Sequence, residues 1–267
     1  MSDEYNSRVS THSPAWKSKL FGAEPVLRPE ARIRAQVDAL ERLLELKHRS
    51  RVLDLGCGAG AQTLELARRH YRVVGMESSK EALAAVRDRA KEEALTVHFL
   101  ANPLDRIPYE GEFNAVLNVR NPLGSLPSER DDARCLSAIH RSLKPGGRLL
   151  LDLLNREWLI RRLGAHDGAF DLVSGRLDGR SFSSRGGKPA AGGEAVRLYS
   201  LTELRRLLTE TGFRLRGAWG DYQGHPYHLD SMRLIVVAER VEPPKKAPER
   251  DGDDFERAVR IKGRPRS

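Results

Sequence analysis

Three glycines at alternate positions, Gly56, Gly58 and Gly60, directly follow the apolar segment 52–55 and precede a helical pattern. Glycine adopts backbone angles that other residues avoid, and it lets a ligand lie against bare main chain. The start of the next helix offers free N–H groups and a positive dipole, which suit a carboxylate. Asp54 adds a negative charge suited to an ammonium group. Together these residues predict a site for the carboxylate and ammonium groups of an amino acid.

A second acid, Glu77, comes directly after the apolar segment 73–76. An acid at the end of a second strand, about 20 residues after such glycines, can accept hydrogen bonds from both hydroxyls of a ribose. Proteins that bind nicotinamide dinucleotides share this acid, but their glycines follow a G-x-G-x-x-G pattern. The pattern here is G-x-G-x-G, and the negative charge of Asp54, which precedes it, would repel a pyrophosphate. The spacing therefore disfavours a nicotinamide-dependent oxidoreductase.

Apolar segments and amphipathic helical patterns alternate through the first 154 residues. The patterns predict strands at 51–55, 72–76, 96–100, 113–119 and 148–154. They predict helices at 30–47, 61–70, 78–94 and 128–143, with a capping box at Ser78 and Glu81. Alternation of this kind is typical of an α/β fold with parallel strands and right-handed crossovers.

The pattern changes after residue 157. A short helix to residue 163 is followed by residues 164–195, whose Gly, Ser and Arg content predicts a loop or a weak hairpin around 170–182. A second capping box, Ser200 with Glu203, opens a helix that ends at Gly212. Two closing strands are predicted at 213–219 and 232–239. The predicted divisions are a flexible lead (1–27), one domain (28–240, with a variable loop at 164–198) and a charged, disordered tail (241–267).

The composition excludes several classes of protein. The 267 residues include only two cysteines, Cys57 and Cys135, and no metal-ligand spacing, so we expect neither a disulfide scaffold nor a metal site. The start of the sequence lacks an apolar secretion signal, and no apolar run reaches membrane-spanning length. We therefore expect a cytoplasmic protein without a membrane partner. The net charge of +9 leaves nucleic acid as an alternative partner, although the arginines are dispersed rather than clustered.

Three separated segments, 52–60, 73–78 and 143–154, resemble in order the motifs of class I S-adenosylmethionine (SAM)-dependent methyltransferases. The resemblance implies a Rossmann-like, doubly wound sheet of seven mostly parallel strands, of which the last is antiparallel. It also implies SAM as the cofactor. The implied cofactor-binding residues are Asp54, Gly56, Cys57, Gly58, Gly60, Glu77, Ser78, Asn102, Pro103, Leu104 and Asn118.

One of these positions departs from the family pattern. Members commonly carry Gly-Asp after the third strand, and the aspartate binds the amino group of adenine. This sequence has Asn102-Pro103 there. Proline has no side-chain hydrogen-bonding group, so Asn102 or a backbone carbonyl would have to serve.

The C-terminal part is similar to a bacterial subgroup of methyltransferases that act largely on small molecules. The similar residues are the Gly-His-Pro-Tyr sequence at 224–227 and the Asp-Ser-Met-Arg-Leu sequence at 230–234. The candidate catalytic residues are His225, Tyr222, Tyr227 and Arg120. His225 is the candidate general base, because an unperturbed imidazole titrates near neutrality. Arg120, after the fourth strand, would favour an anionic acceptor.

The residues and the resemblance together predict methyl transfer from SAM to an unidentified small-molecule acceptor. Two alternatives stay open. The basic charge would suit an RNA or protein methyltransferase, although the sequence contains no recognisable RNA-binding module. The Asn102-Pro103 departure and the degraded strand pattern at 164–195 would suit a SAM-binding protein without catalytic activity.

Overall fold

The computed structural model describes residues 29–119, 123–163, 170–178 and 195–241. The helices within them are α1 (Pro29–Leu44), α2 (Ala61–Arg68), α3 (Lys80–Glu92), α4 (Glu129–Ser142), α5 (Arg156–Leu163) and α6 (Leu201–Glu210). The strands are β1 (Arg51–Leu55), β2 (Arg72–Glu77), β3 (His98–Ala101), β4 (Phe113–Asn118), β5 (Leu143–Leu154), β6 (Phe170–Asp171), β7 (Arg176–Asp178), β8 (Ala195–Arg197), β9 (Phe213–Trp219) and β10 (Arg233–Arg240). The predicted lead, the candidate Arg120 and the predicted tail beyond Val241 lie outside the described residues.

The main sheet has seven strands in the order β3-β2-β1-β4-β5-β10-β9. Strands β1 to β5 pair in parallel, and β10 runs antiparallel to both of its neighbours. The predicted fold class is therefore confirmed, including the antiparallel last strand. Because the parallel strands end at one edge, the loops after β1, β2, β3 and β4 meet there. That carboxyl edge is where the predicted cofactor residues lie.

Strand β5 is buried on both faces, as its leucines predict. Leu149, Leu151 and Leu153 belong to one apolar cluster, together with side chains from α4 and α6. Leu150 belongs to a second cluster on the opposite face, where Val37 and other side chains of α1 cover the sheet. Helix α1 is thus the predicted first helix, and it packs directly behind the centre of the sheet. No helix in the described ranges combines the length and apolar character needed to cross a bilayer.

The start of α3 differs from the prediction. Its N-cap is Ser79, whose side chain accepts a hydrogen bond from the amide of Ala82. The predicted capping box of Ser78 with Glu81 is therefore wrong, because the amide of Ser78 is bound by the Glu77 carboxylate instead. The second predicted box is confirmed at the start of α6, where both of its hydrogen bonds are present.

A small antiparallel sheet of order β6-β7-β8 follows α5. The predicted hairpin is present as β6 and β7, whereas β8 was not predicted. The strand pattern is therefore less degraded than the sequence suggests. Leu177 and Val196 of this sheet are fully buried against Trp158 and Leu159 of α5. The small sheet is consequently attached to the domain through its own apolar cluster, although residues 179–194 lie outside the described part of the chain.

Candidate cofactor and acceptor site

The glycine loop between β1 and α2 uses its three glycines differently. Gly56, Gly58 and Gly60 all have positive φ angles, of 78°, 51° and 72°. A Cβ atom added to Gly60 would lie 2.1 Å from a methyl carbon of Val86, so this glycine permits close packing against α3. A Cβ atom on Gly58 would meet nothing within 4 Å. Gly58 therefore borders open space at the carboxyl edge, where a ligand can approach the main chain.

Helix α2 begins at the end of this loop without a side-chain cap. Its N-cap residue is Gly60, which makes no side-chain capping hydrogen bond. In contrast, Ser79, Ser128 and Ser200 each cap the helix that follows them. The first amides of a helix have no partner within the helix, and together with the dipole they attract an anion. The first turn of α2 is thus suited to a carboxylate ligand.

Asp54 lies beside this helix start, near the end of the central strand β1. Its carboxylate is 2% exposed, and it accepts a hydrogen bond of 2.5 Å from the hydroxyl of Thr63. Thr63 belongs to the first turn of α2, so this bond fixes the acid relative to the helix. The sequence prediction placed Asp54 at this edge, and the structure does so too.

Glu77 ends β2 and closes the glycine loop from the other side. Its side chain is 6% exposed. One carboxylate oxygen accepts from the amide of Gly58 at 3.0 Å, and the other accepts from the amides of Ser78 and Ser79 at 2.7 and 3.1 Å. These bonds hold Glu77 at the edge rather than in solvent. A carboxylate has further lone pairs, so it can still accept hydrogen bonds from ligand hydroxyls.

The two acids give the loop a negative electrostatic environment. Between them lies Cys57, and burial, followed by the charges of Asp54 and Glu77, raises the pKa of its thiol. A thiol in this state is neutral at physiological pH, so Cys57 is not placed as a nucleophile. The same negative charge favours a ligand that carries positive charge next to the anion-binding first turn of α2.

The loop after β3 contains the Asn102-Pro103 departure. The Asn102 amide donates to the carbonyl of Arg106 at 2.9 Å, and the Pro103 carbonyl accepts from the Arg106 amide at 3.0 Å. The Asn102 side chain thus closes a turn. The Leu104 carbonyl accepts from the buried thiol of Cys135 on α4.

The same turn contains an acid that the sequence analysis missed. Among the described residues, Oδ1 of Asp105 is buried and has no hydrogen-bond partner. A buried acceptor without a donor is costly, and it fits a donor group supplied by a ligand. Asp105 therefore provides a carboxylate in the loop after β3, although not at the position where the family pattern has one.

Asn118 ends β4, and its side chain hydrogen-bonds two neighbouring segments of backbone. Its side chain is buried, and its amide donates to the carbonyl of Leu55 at 3.4 Å. Its side-chain oxygen accepts from the amide of Leu123 at 3.2 Å. Asn118 therefore joins the end of β1 to the segment that follows β4, directly beside the glycine loop.

His225 lies in the β9–β10 loop, which covers residues 220–232. Its side chain is 71% exposed, and its Nδ1 lies 2.6 Å from a carboxylate oxygen of Asp221. The other oxygen of Asp221 accepts from the amides of Gly224 and His225. The imidazole is therefore oriented by its own loop. None of its hydrogen bonds reaches the described cofactor residues, and its role as a base stays a prediction.

Tyr222, in the same loop, is held in a buried polar cluster. Its hydroxyl donates to Asp152 of β5 at 2.9 Å, and Arg233 donates to both oxygens of Asp152, at 2.9 and 2.7 Å. Burial, followed by the charge of Asp152, raises the pKa of Tyr222. The phenol is therefore neutral and committed as a donor, which does not suit a general base.

Tyr227 is held in a similar way. Its hydroxyl bonds Asn155 at 3.0 Å and Glu157 at 2.9 Å, and burial, followed by the hydrogen bond to Glu157, raises its pKa. Asn155 was missed by the sequence analysis. It caps α5 through the amides of Glu157 and Trp158, and its own amide donates to the carbonyls of His228 and Ser231. One buried side chain thus anchors the second half of the β9–β10 loop.

The comparisons with known proteins agree with this geometry. A family model described as a methyltransferase domain matches residues 52–147. The cypemycin N-terminal methyltransferase of Streptomyces sp is 26% identical over 204 residues, which are 71% of this chain and 82% of that protein. The ubiquinone biosynthesis O-methyltransferase of Nitrosococcus oceani is 33% identical over 137 residues, or 49% of this chain; the match spans about half of that relative, 56% of its length.

The fold is also that of a solved structure, an S-adenosylmethionine-dependent methyltransferase from Clostridium acetobutylicum. The TM-score is 0.67 at 15% identity, covering 84% of this chain and 96% of that one. The methyltransferase-domain match, the methyltransferase relatives and the shared fold support a class I SAM-dependent methyltransferase. These similarities support SAM as the cofactor, and its aminoacyl and ribose groups match the groups expected at the carboxyl edge.

Proposed function

We propose that this protein transfers a methyl group from SAM to a small-molecule acceptor. The observation that carries the proposal is the uncapped first turn of α2, flanked by the buried carboxylates of Asp54 and Glu77. An anion-binding helix start between two fixed acids matches a ligand with a carboxylate, an ammonium group and ribose hydroxyls. The comparisons support the methyltransferase class and leave the acceptor open.

Each side chain of the site has a proposed task. The amides of the first turn of α2 bind the cofactor carboxylate, Asp54 binds its ammonium group, and Glu77 accepts from its ribose hydroxyls. The partnerless Oδ1 of Asp105 is the candidate acceptor for the adenine amino group. When bound, SAM supplies a methyl group on a positively charged sulfur that is already activated for transfer.

The remaining task of the protein is to orient the two reactants and to exclude water. Holding two reactants in line lowers the barrier of the reaction substantially, even without a catalytic side chain. A base is needed only where the acceptor must lose a proton, and the candidate among the described residues is His225. Tyr222 and Tyr227 serve as neutral hydrogen-bond donors that hold the β9–β10 loop.

Cofactor binding is tested by calorimetry on the purified chain. We expect wild type to bind SAM and its product S-adenosylhomocysteine, and we expect Gly58→Arg and Glu77→Ala to lose most of that affinity. Gly111→Arg is a matched control, because Gly111 also has a positive φ, of 60°, and open space at its Cβ, but lies just before β4 at the opposite edge. Wild-type affinity in both site variants would remove the site assignment.

The acceptor is sought by incubating the protein with SAM labelled in its methyl group and a fractionated metabolite extract. We expect label in one small-molecule fraction, and Glu77→Ala should abolish the transfer. Label in RNA that falls with salt concentration would instead favour the nucleic-acid alternative. Cofactor binding without transfer to any fraction would identify a non-catalytic SAM-binding protein.

A peptide or protein N-terminus is the second candidate acceptor. It is favoured by the cypemycin N-terminal methyltransferase, because that relative matches 71% of this chain rather than the core alone. The same labelling experiment with a library of short peptides separates the two candidates. Blocking the peptide N-terminus by acetylation should abolish labelling if this alternative is correct.

A further inference from the structure

A cavity lies at the edge of the main sheet opposite the cofactor loop, where the parallel strands begin. We call this the amino edge. The cavity has a volume of about 460 Å³, and its walls are the turn between α1 and β1, the start of β4 and the segment 144–148 of β5. None of its lining residues is a predicted cofactor or catalytic residue. Strand β1 separates the cavity from the glycine loop, and its five residues span about 15 Å.

The lining of this cavity carries an excess of positive charge. Four basic residues line it, and one acid does. The basic residues are Lys47, Arg49, Lys144 and Arg148, and the acid is Glu45. With the lining residue His48 neutral, these charges leave a net charge of +3. A concave surface with charges of one sign focuses the electrostatic potential and attracts counter-ions.

Three of the four basic residues are available to a ligand. Arg148 is paired with Glu45 at 2.7 Å. Within the part of the chain that the structure describes, no ion pair joins Lys47, Arg49 or Lys144 to an acid. The Lys144 ammonium instead donates to the neutral side chain of Asn114, at 3.4 Å. Because like charges repel one another, a bound anion would relieve the repulsion among these side chains.

The backbone around the cavity is held in place. The amide of Ser50 donates to the carbonyl of Lys47 at 2.9 Å, and the amide of Lys47 donates to the Ser50 hydroxyl at 3.1 Å. These two bonds close the turn that carries Arg49. In the segment 144–148, Gly146 has a φ of 71°, and a Cβ atom there would meet nothing within 4 Å. The basic side chains are therefore attached to an ordered backbone that a ligand can approach, which lowers the cost of binding.

We propose that this cavity binds a small ligand that carries phosphate groups. A phosphomonoester has a charge of about −1.5 to −2 at neutral pH, so roughly two such groups match the net charge of the lining. Lysine and arginine are the side chains that most often bind phosphate. The volume suits a small organic molecule rather than a lone ion. The proposal does not rest on the proposed function, because the cavity and the cofactor loop share no residue.

Calorimetry of the full chain with inorganic triphosphate tests the proposal. This probe lacks adenine and ribose, so it does not resemble the cofactor. We expect wild type to bind it, with an affinity that falls as the salt concentration rises. Lys144→Gln and the double variant Lys47→Gln, Arg49→Gln should each lose at least about tenfold in affinity, the loss expected of one hydrogen bond between charged groups. The replaced side chains are exposed, so the melting temperatures should stay close to that of wild type.

Arg72→Gln is the matched control. Arg72 begins β2 at the amino edge, is exposed and does not line the cavity. The variant removes one positive charge, as Lys144→Gln does, and we expect it to bind triphosphate with wild-type affinity. Equal losses in Arg72→Gln and Lys144→Gln would show attraction by the whole basic edge and would overturn the proposal. A wild-type chain that does not bind triphosphate would overturn it too.

Two further measurements separate the cavity from other sites. Excess S-adenosylhomocysteine should leave triphosphate binding in place, and Glu77→Ala should bind triphosphate as wild type does. Complete displacement of the probe by S-adenosylhomocysteine would place it in the cofactor loop and contradict the proposal. Triphosphate binding by a chain that does not bind S-adenosylhomocysteine would support the cavity and remove the proposed function alone.

A single-stranded RNA oligomer tests the other source of phosphate groups. We expect it to bind more weakly than triphosphate, because an RNA backbone needs an extended basic surface rather than a cavity. RNA that binds more tightly, and whose affinity falls as much in Arg72→Gln as in Lys144→Gln, would identify a nucleic-acid surface and overturn the assignment to a small ligand.

Discussion

Asp132 makes the stability of this protein depend on pH in a direction that the structure fixes. It lies on α4, is fully buried, and accepts hydrogen bonds from the Tyr199 hydroxyl at 2.6 Å and the Gly124 amide at 2.9 Å. These two partners connect α4 to the start of α6 and to the segment after β4. Burial is the largest influence on this carboxyl and raises its pKa from 3.8 to about 6, against the lowering effect of its hydrogen bonds.

The magnitude follows from that shift. A rise of the Asp132 pKa from 3.8 to about 6 means that folding favours the protonated form over the charged form by about 3 kcal/mol. Because the pKa is raised in the folded state, the folded protein binds more protons than the unfolded chain between about pH 4 and pH 6. The free energy of unfolding therefore falls as pH rises through that window, and the contribution levels off above it.

Replacing Asp132 by Asn removes the charge while keeping an oxygen for the Gly124 amide. We expect the stability of Asp132→Asn relative to wild type to rise by about 3 kcal/mol between pH 4 and pH 7. Urea unfolding of both proteins at several pH values measures this difference in stability. Asp88→Asn is the control, because Asp88 is 71% exposed and should show almost no such change. Parallel stability curves for wild type and Asp132→Asn would refute the reasoning, as would a relative loss with rising pH.

Three further predictions concern stability and reactivity. Gly60→Ala should lower the free energy of unfolding by roughly 2–4 kcal/mol, because its Cβ would clash with Val86 and its backbone is left-handed. An unchanged melting temperature would contradict this expectation. Cys57 and Cys135 should resist alkylation at pH 8 until the chain is unfolded, because both are buried with raised pKa values; mass spectrometry would reveal early labelling if they are accessible. Ser200→Ala should cost about 1 kcal/mol in chemical unfolding through loss of the α6 cap, and a loss near zero would argue against the capping box.

The sheet was predictable because its strands have strong local patterns. The predicted strand 213–219 is identical to β9, and the burial of β5 on both faces follows from its leucines. The antiparallel direction of β10 came from the family resemblance rather than from local pattern. Strand β8 was missed because a three-residue strand has no period, and its pairing with β7 depends on chain that is distant in sequence.

The cofactor side of the site was predictable for a related reason. Its glycines and the acids Asp54 and Glu77 lie within about 25 residues of sequence and next to apolar segments that mark strand ends. Asp105 and Asn155 were not predictable. Their significance depends on partners or burial that only the folded chain reveals, and aspartate and asparagine are common on protein surfaces.

The choice between Ser78 and Ser79 as the cap of α3 shows the same limit on a smaller scale. By sequence alone, either of two adjacent serines could be the N-cap of the helix that follows. In the folded chain the Glu77 carboxylate binds the amides of both serines, and it is the Ser79 hydroxyl that accepts from the amide of Ala82. The acid that binds the glycine loop thus also holds the two residues just before the next helix.

The position of β10 has a consequence for biosynthesis. This strand is the last of the sheet to leave the ribosome, yet it lies between β5 and β9 and pairs with β5 along seven residues. Until it arrives, the apolar edge of β5 has no partner and is open to pairing with other nascent chains. Translation that stops before residue 233 would thus leave an aggregation-prone fragment, whereas chains released after residue 241 already contain every strand of the main sheet.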